Sequence, residues 1–154
     1  MKELLEYRKH LIARLVSASQ EFRDACLTVS DPHARIGEGW STHQIAAHTR
    51  DVHKMVYGLR AERTAKEDDP EFQNFDGDTY MTKHYSTEES LGELLNNLVK
   101  DVETFSEMLT ALPAESWSRA SRHATFGGGF TLQTWVERDL AHIEEHLDTV
   151  KKGL

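Results

Sequence analysis

A single cysteine, Cys26, stands in the 154-residue chain. Neither an intrachain disulfide nor a thiolate metal cluster can form, so any metal must be held by His, Asp or Glu. Cys26 itself, near the end of a first helix, reads as a small buried residue. Only three prolines and nine glycines are present, too few for a fibrous or low-complexity chain. Long apolar runs are missing as well. The opening MKELLEYRKHLIARL carries Glu and Lys throughout, which excludes a signal peptide or membrane span and leaves a cytoplasmic location as the expectation. Positive charge is in deficit: 18 basic against 26 acidic residues give a net charge of -8. With no basic stripe, neither nucleic acid nor a membrane is an expected partner. What remains, 38% hydrophobic and 29% charged residues, is the composition of an ordinary globular chain. Its length suits a single domain, 1–154, able to bury a core without staples.

Four segments place apolar residues at spacings of three and four, the signature of one helical face, and no convincing period-two strand appears. The first runs from about Glu3 to Thr28, with Leu4, Leu11, Leu15, Ala18, Phe22 and Ala25 in register and Ser30-Asp31-Pro32 as its stop. The second, about 41–66, opens on Ser41-Thr-His-Gln44, a capping box in which the Ser41 hydroxyl takes a backbone N–H and Gln44 reaches back. Trp40 and Ile45 make the matching hydrophobic staple, and the apolar line continues through Val52, Met55, Val56 and Leu59. A third helix is expected from a second capping box, Ser86-Thr-Glu-Glu89, through Leu94, Leu98, Val102, Phe105 and Leu109 to the stop at Pro113. The fourth opens at Phe130-Thr131, with Trp135 as staple partner, and ends at Gly153. The fold class that follows is all-α, a four-helix bundle with two long connections, at about 70–85 and 113–130. The second contains Gly127-Gly128-Gly129, suited to a tight approach or a movable flap.

Nine histidines are present, so the useful question is which face inward. At about 100° per residue His48 falls near the centre of the line Ile45, Val52, Met55, Leu59, whereas His53 falls on the opposite side and His43 lies beside the cap. His48 is therefore expected inside, and His43 and His53 in solvent. On the fourth helix, Trp135, Asp139, His142 and His146 form one flank of the apolar row, with His142 and His146 stacked one turn apart. Two imidazoles at i and i+4 can share an ion, and His48 is the inward third. Buried without partners, each ring would cost about 1–3 kcal/mol, a penalty a cation removes. Asp51 and Asp139 are spaced to orient His48 and His142. Alternatives are weighed on the same residues. A lone His-x-x-x-His also arises on surfaces by chance. His142-Ile-Glu-Glu-His146 fits the inverted zinc-peptidase pattern, but too little chain follows to supply the third ligand. A di-iron bundle would need paired Glu-x-x-His motifs that are absent.

Trp40-Ser41 leading to His48-Thr-Arg-Asp51, the Gly129-Phe-Thr-Leu stretch, and His142-Ile-Glu-Glu-His146 together resemble the DinB-like superfamily of bacterial four-helix-bundle proteins, over essentially the whole chain. The resemblance implies metal ligation by His48, His142 and His146. It also implies a metal-dependent enzyme of the thiol S-transferase type, which uses low-molecular-weight thiols such as bacillithiol or mycothiol. Three nitrogens leave an open metal position, as catalytic sites do, so a thiol or water can be activated there. The expected cofactor is a divalent metal ion, zinc or nickel foremost; the expected partner is a small-molecule substrate, with a homodimer as an open alternative. His84, His123, Tyr80, Tyr85 and Arg122, in or beside the long connections, are candidates for orienting a substrate, with no one of them singled out as catalytic. The competing reading is a non-catalytic, metal-stabilised module for a small ligand, of a stress-related kind.

Overall fold

The computed structural model describes residues 1–154. Helix α1 spans Lys2–Thr28. A second long helix is built of α2 (Thr42–Val52), one π-helical turn (His53–Tyr57) and α3 (Gly58–Lys66). Helices α5 (Leu91–Ala111) and α6 (Leu132–Lys152) complete the bundle. Both α1 and the α2–α3 helix pack mainly against α5 and α6, so α1 and α2–α3 stand at opposite corners. Leu15, Phe22, Leu94, Leu98, Val136 and Ile143 are fully buried between them. That arrangement follows from the three-and-four spacing, because each apolar stripe has to be covered by a neighbour.

The caps explain where the helices begin. Both halves of the capping box form at α2: Ser41 Oγ accepts from the Gln44 amide and the Gln44 side chain accepts from the Ser41 amide. Such a cap is worth about 1 kcal/mol. At α6 the cap is Thr131, and Phe130 stacks on Trp135 with ring centroids 4.7 Å apart, the expected staple. The expected second capping box does not form, and the cap of α5 lies four residues on: Ser90, not Ser86, caps the helix through the Glu93 amide, while Ser86 Oγ takes the Glu88 amide in a turn.

The long connections carry structure that periodicity did not announce. The first holds strand β1 (Glu71–Phe72) and helix α4 (Gly77–His84). The second holds a 3-10 turn (Ala114–Ser118) and strands β2 (Ala120–His123) and β3 (Gly127–Thr131). β1 runs parallel to β2 and β2 antiparallel to β3, a three-stranded sheet packed over one end of the bundle helices α3 and α6. The glycine run is thus the turn and second strand of a hairpin; Gly127 and Gly129, at φ 81° and 91°, occupy backbone space that glycine alone enters cheaply.

The π turn corrects the wheel of the second helix. An extra residue in the turn rotates everything beyond it, so Leu59, expected in the core, is exposed, whereas Arg60 and Ala61 are buried. Within the turn, Met55 is exposed against expectation, and His53, which opens it, is buried because that face of the helix is covered by Phe105 of α5 and Asp139 of α6. His43, also expected in solvent, is 1% exposed. Its Nε2 donates to the Glu89 carbonyl at 2.7 Å and its Nδ1 accepts from the Tyr85 hydroxyl at 2.6 Å. This histidine is a tie between α2 and the start of α5.

Candidate metal centre

His48 comes from the middle of α2, and His142 and His146 from successive turns of α6. Their ring nitrogens lie within 4.8 Å of one another. His142 Nε2 is 3.1 Å from His48 Nε2 and 3.0 Å from His146 Nε2. A ring nitrogen offers either one proton or one lone pair. The central Nε2 therefore cannot make two good hydrogen bonds to its neighbours, and a protein of neutral imidazoles leaves this cluster unsatisfied. A cation at the point where the three nitrogens converge would satisfy all of them together, so the donor set fits a divalent ion.

The electrostatics agree with that fit. Burial, reinforced by His146, lowers His48 to about 4 against the opposing pull of Asp51, Asp78 and Glu145. Burial, with His146 and His48 adding to it, lowers His142 to about 3, and burial lowers His146 to about 4. All three rings are thus neutral near pH 7, the protonation state that metal ligands require.

The two carboxylates expected to orient these rings do other things. Asp51 pairs with Arg50 at 3.0 Å and reaches His48 through its charge alone. Asp139 accepts from His53 Nδ1 at 2.7 Å through Oδ2; its Oδ1 and the Nδ1 of His142 are both buried with no partner. Trp40 meets the His48 ring edge-on at a centroid distance of 5.0 Å and Tyr57 lies 5.8 Å from His142, so aromatic packing does the orienting.

A cavity of about 250 Å³ opens beside the cluster, with His48 and His142 in its lining. Among the residues proposed from the long connections, His123 alone lines it. His123 Nδ1 accepts the Thr125 and Phe126 amides at 3.1 and 3.3 Å, which puts the ring proton on Nε2. Burial, with the charges of Arg60 and Arg138, lowers its pKa. The others stay outside the cavity: Tyr80 stacks on His84 at 4.3 Å, Tyr85 serves His43, and Arg122 pairs with Asp69 and Glu71. Sequence reasoning missed Arg60 and Arg138, which also line it. The one available signal was Gly58, a glycine inside an otherwise helical stretch, which marks a close approach or a break in helical geometry.

Comparison with known proteins agrees with this architecture. No curated protein matches the chain. Among solved structures it is similar to YfiT from Bacillus subtilis, described as a probable metal-dependent hydrolase with an unusual four-helix bundle topology. The TM-score is 0.87 at 18% sequence identity, covering 96% of this chain and 86% of that one, a likeness of fold. The family model of the DinB superfamily matches residues 14–150, nearly the whole bundle with all three clustered histidines inside it, and the chain therefore belongs to the DinB superfamily.

Proposed function

We propose that this chain is a metal-dependent enzyme in which His48, His142 and His146 hold one divalent ion and the adjoining cavity receives a small-molecule substrate. The observation that carries the reading is the convergence of three neutral ring nitrogens within 4.8 Å beside a cavity. A divalent ion on three neutral imidazoles would supply a Lewis acid with open positions, able to lower the pKa of a water or thiol into the neutral range. The fold shared with a probable metal-dependent hydrolase supports water as the nucleophile; a low-molecular-weight thiol, in an S-transferase reaction, is the second reading.

The chain's own residues then have separable tasks. Trp40 and Tyr57 hold the ring planes of His48 and His142. Val52, Val56 and Trp135 make one wall of the cavity apolar, which thins out bulk water and strengthens every charge interaction inside. His123, with its proton fixed on Nε2, is a neutral donor for a substrate oxygen or leaving group.

Elemental analysis of the untreated protein, with His142→Ala beside it, tests the metal. About one zinc or nickel per chain, lost in His142→Ala, is expected; an absence of any transition metal, with a melting curve that chelator does not move, overturns the reading. An ester and amide panel against a thiol-plus-electrophile panel then separates hydrolysis from S-transfer. If neither panel gives turnover in the metal-loaded protein, the non-catalytic, metal-stabilised binding module takes its place.

A further inference from the structure

Arg60 is the one buried arginine of the chain, 8% exposed, and it lines the cavity beside the histidine cluster. The π turn puts it there. At about 100° per residue a regular helix would set it roughly 120° around from His48; the inserted residue cuts that to roughly 20°. Its guanidinium lies over the Trp135 ring at 4.8 Å, and Nη2 donates to the Gln73 carbonyl at 2.9 Å. No carboxylate answers its charge. A second arginine, Arg138 from α6, lines the same cavity and lies over Phe130 at 5.2 Å, again without an ion-pair partner.

The imbalance is local and runs against the whole chain. The protein carries 26 acidic residues against 18 basic ones, yet none of the 14 residues lining this cavity is Asp or Glu. The two guanidinium charges are close enough to oppose each other, since Arg138 acts to lower the Arg60 pKa and both act to lower His123. A buried cation without a counter-charge is costly, and the exposed Arg138 beside Arg60 adds repulsion instead of relieving that cost. An enzyme keeps such groups where a ligand supplies the missing charge. The planar, forked donors of arginine match the two oxygens of a carboxylate or phosphoryl group. Phe75, Phe126 and Phe130 complete the lining, and Phe126 is 71% exposed, an apolar surface with nothing to cover it in the free protein.

The geometry points to a small organic anion as the ligand of this cavity, its oxyanion head received by Arg60 and Arg138 and its apolar body lying against the phenylalanines. The inference names the substrate class of the proposed reaction and rests on the reading of His48, His142 and His146 as its reacting centre. It takes its own support from the arginines. With the head group held there, the bond to be attacked lies within reach of His48 and His142, which line the same cavity.

Titration of the protein, as purified and after chelator treatment, with benzoate, benzamide and phenylphosphonate tests this by calorimetry. Benzoate is expected to bind both preparations at least tenfold more tightly than benzamide, with phenylphosphonate telling a phosphoryl ligand from a carboxylate. Arg138→Gln, at an exposed position that leaves the bundle intact, should weaken benzoate at least tenfold, and Arg60→Lys should do the same while keeping the charge. His146→Ala should abolish metal retention and leave benzoate affinity within about threefold. Equal binding of benzoate and benzamide, or an unchanged affinity in Arg138→Gln, overturns the inference and leaves the metal reading standing. Loss of benzoate binding in His146→Ala as complete as in Arg138→Gln also overturns it, because the anion would then be sitting on the histidine centre.

Discussion

His53 Nδ1 and the Asp139 carboxylate lie 2.7 Å apart, with the side chains 4% and 0% exposed. The pair joins the π turn of the second helix to α6 one turn ahead of His142, so it fixes how the two helices that carry the histidine cluster are rotated against each other. Removing one member of a buried pair costs about 3–5 kcal/mol, because the other is left uncompensated. Asp139→Ala is therefore expected to lower the unfolding free energy in urea by about 3 kcal/mol or more and to cut metal retention together with it. A loss under about 1 kcal/mol would show the pair to be dispensable to the bundle.

The same pair and the histidine cluster give stability opposite dependences on pH. Desolvation pulls His53 down, but the charge and hydrogen bond of Asp139, with Asp101 assisting, carry its pKa above the ordinary value. Its contribution is thus fully present below about pH 6.5 and lost as pH rises through the raised value. His48, His142 and His146 are lowered to about 4, 3 and 4. There the unfolded chain takes up protons below about pH 6.5 that the folded chain refuses, so stability falls as pH drops from about 6.5 towards 4. Chelator-treated protein should show that acid-side loss in urea midpoints, and His142→Ala should flatten it. Identical acid limbs in the two proteins would mean that the cluster is protonated in the folded state.

Gly77, at the start of α4, abuts the His48 ring and lines the same cavity. A Cβ there would stand 3.0 Å from His48 Cε1. Gly77→Ala is expected to displace the His48 ring by a few tenths of an ångström, weakening metal retention about tenfold, while the melting temperature of the chelated protein changes little. Metal affinity equal to that of the parent would show that the ring has room to yield.

The bundle was legible because each of its helices announces itself locally. The capping box at Ser41, the leucine row from Leu94 to Leu109 and the Phe130–Trp135 staple all depend on neighbours in sequence, and periodicity reads such contacts directly. The three clustered histidines were legible for the same reason: His48 precedes the π turn, and His142 and His146 sit on an unbroken helix. What the sequence hid depends on contacts distant in the chain. The start of α5 is an instance, since Ser86-x-x-Glu89 and Ser90-x-x-Glu93 both fit a capping box. The choice falls to Ser90 because the Glu89 carbonyl, which a longer helix would give to the Glu93 amide, is taken by His43 of α2. The sheet was hidden because β1 has two residues and β3 begins with three glycines, so neither offers alternation to read.

Gly58 decides where the register changes, and its replacement should act with the sign opposite to the usual one. In a regular helix interior Gly→Ala stabilises by about 1 kcal/mol, since alanine restricts the unfolded chain and favours the helix. Here the Gly58 amide closes the π turn on the His53 carbonyl. An added Cβ would stand 2.5 Å from that oxygen and 3.1 Å from the His53 ring. Backbone cannot swing aside as a flexible side chain can, so either the turn reverts to α-helical winding or His53 leaves Asp139. Reversion would rotate Arg60 by roughly 100° out of the cavity and bring Leu59 towards it. Gly58→Ala is therefore expected to destabilise by about 2 kcal/mol or more and to weaken benzoate binding alongside Arg60→Lys. Should it raise the melting temperature as an ordinary helical Gly→Ala does, the π turn would not be what aligns Arg60 with His48.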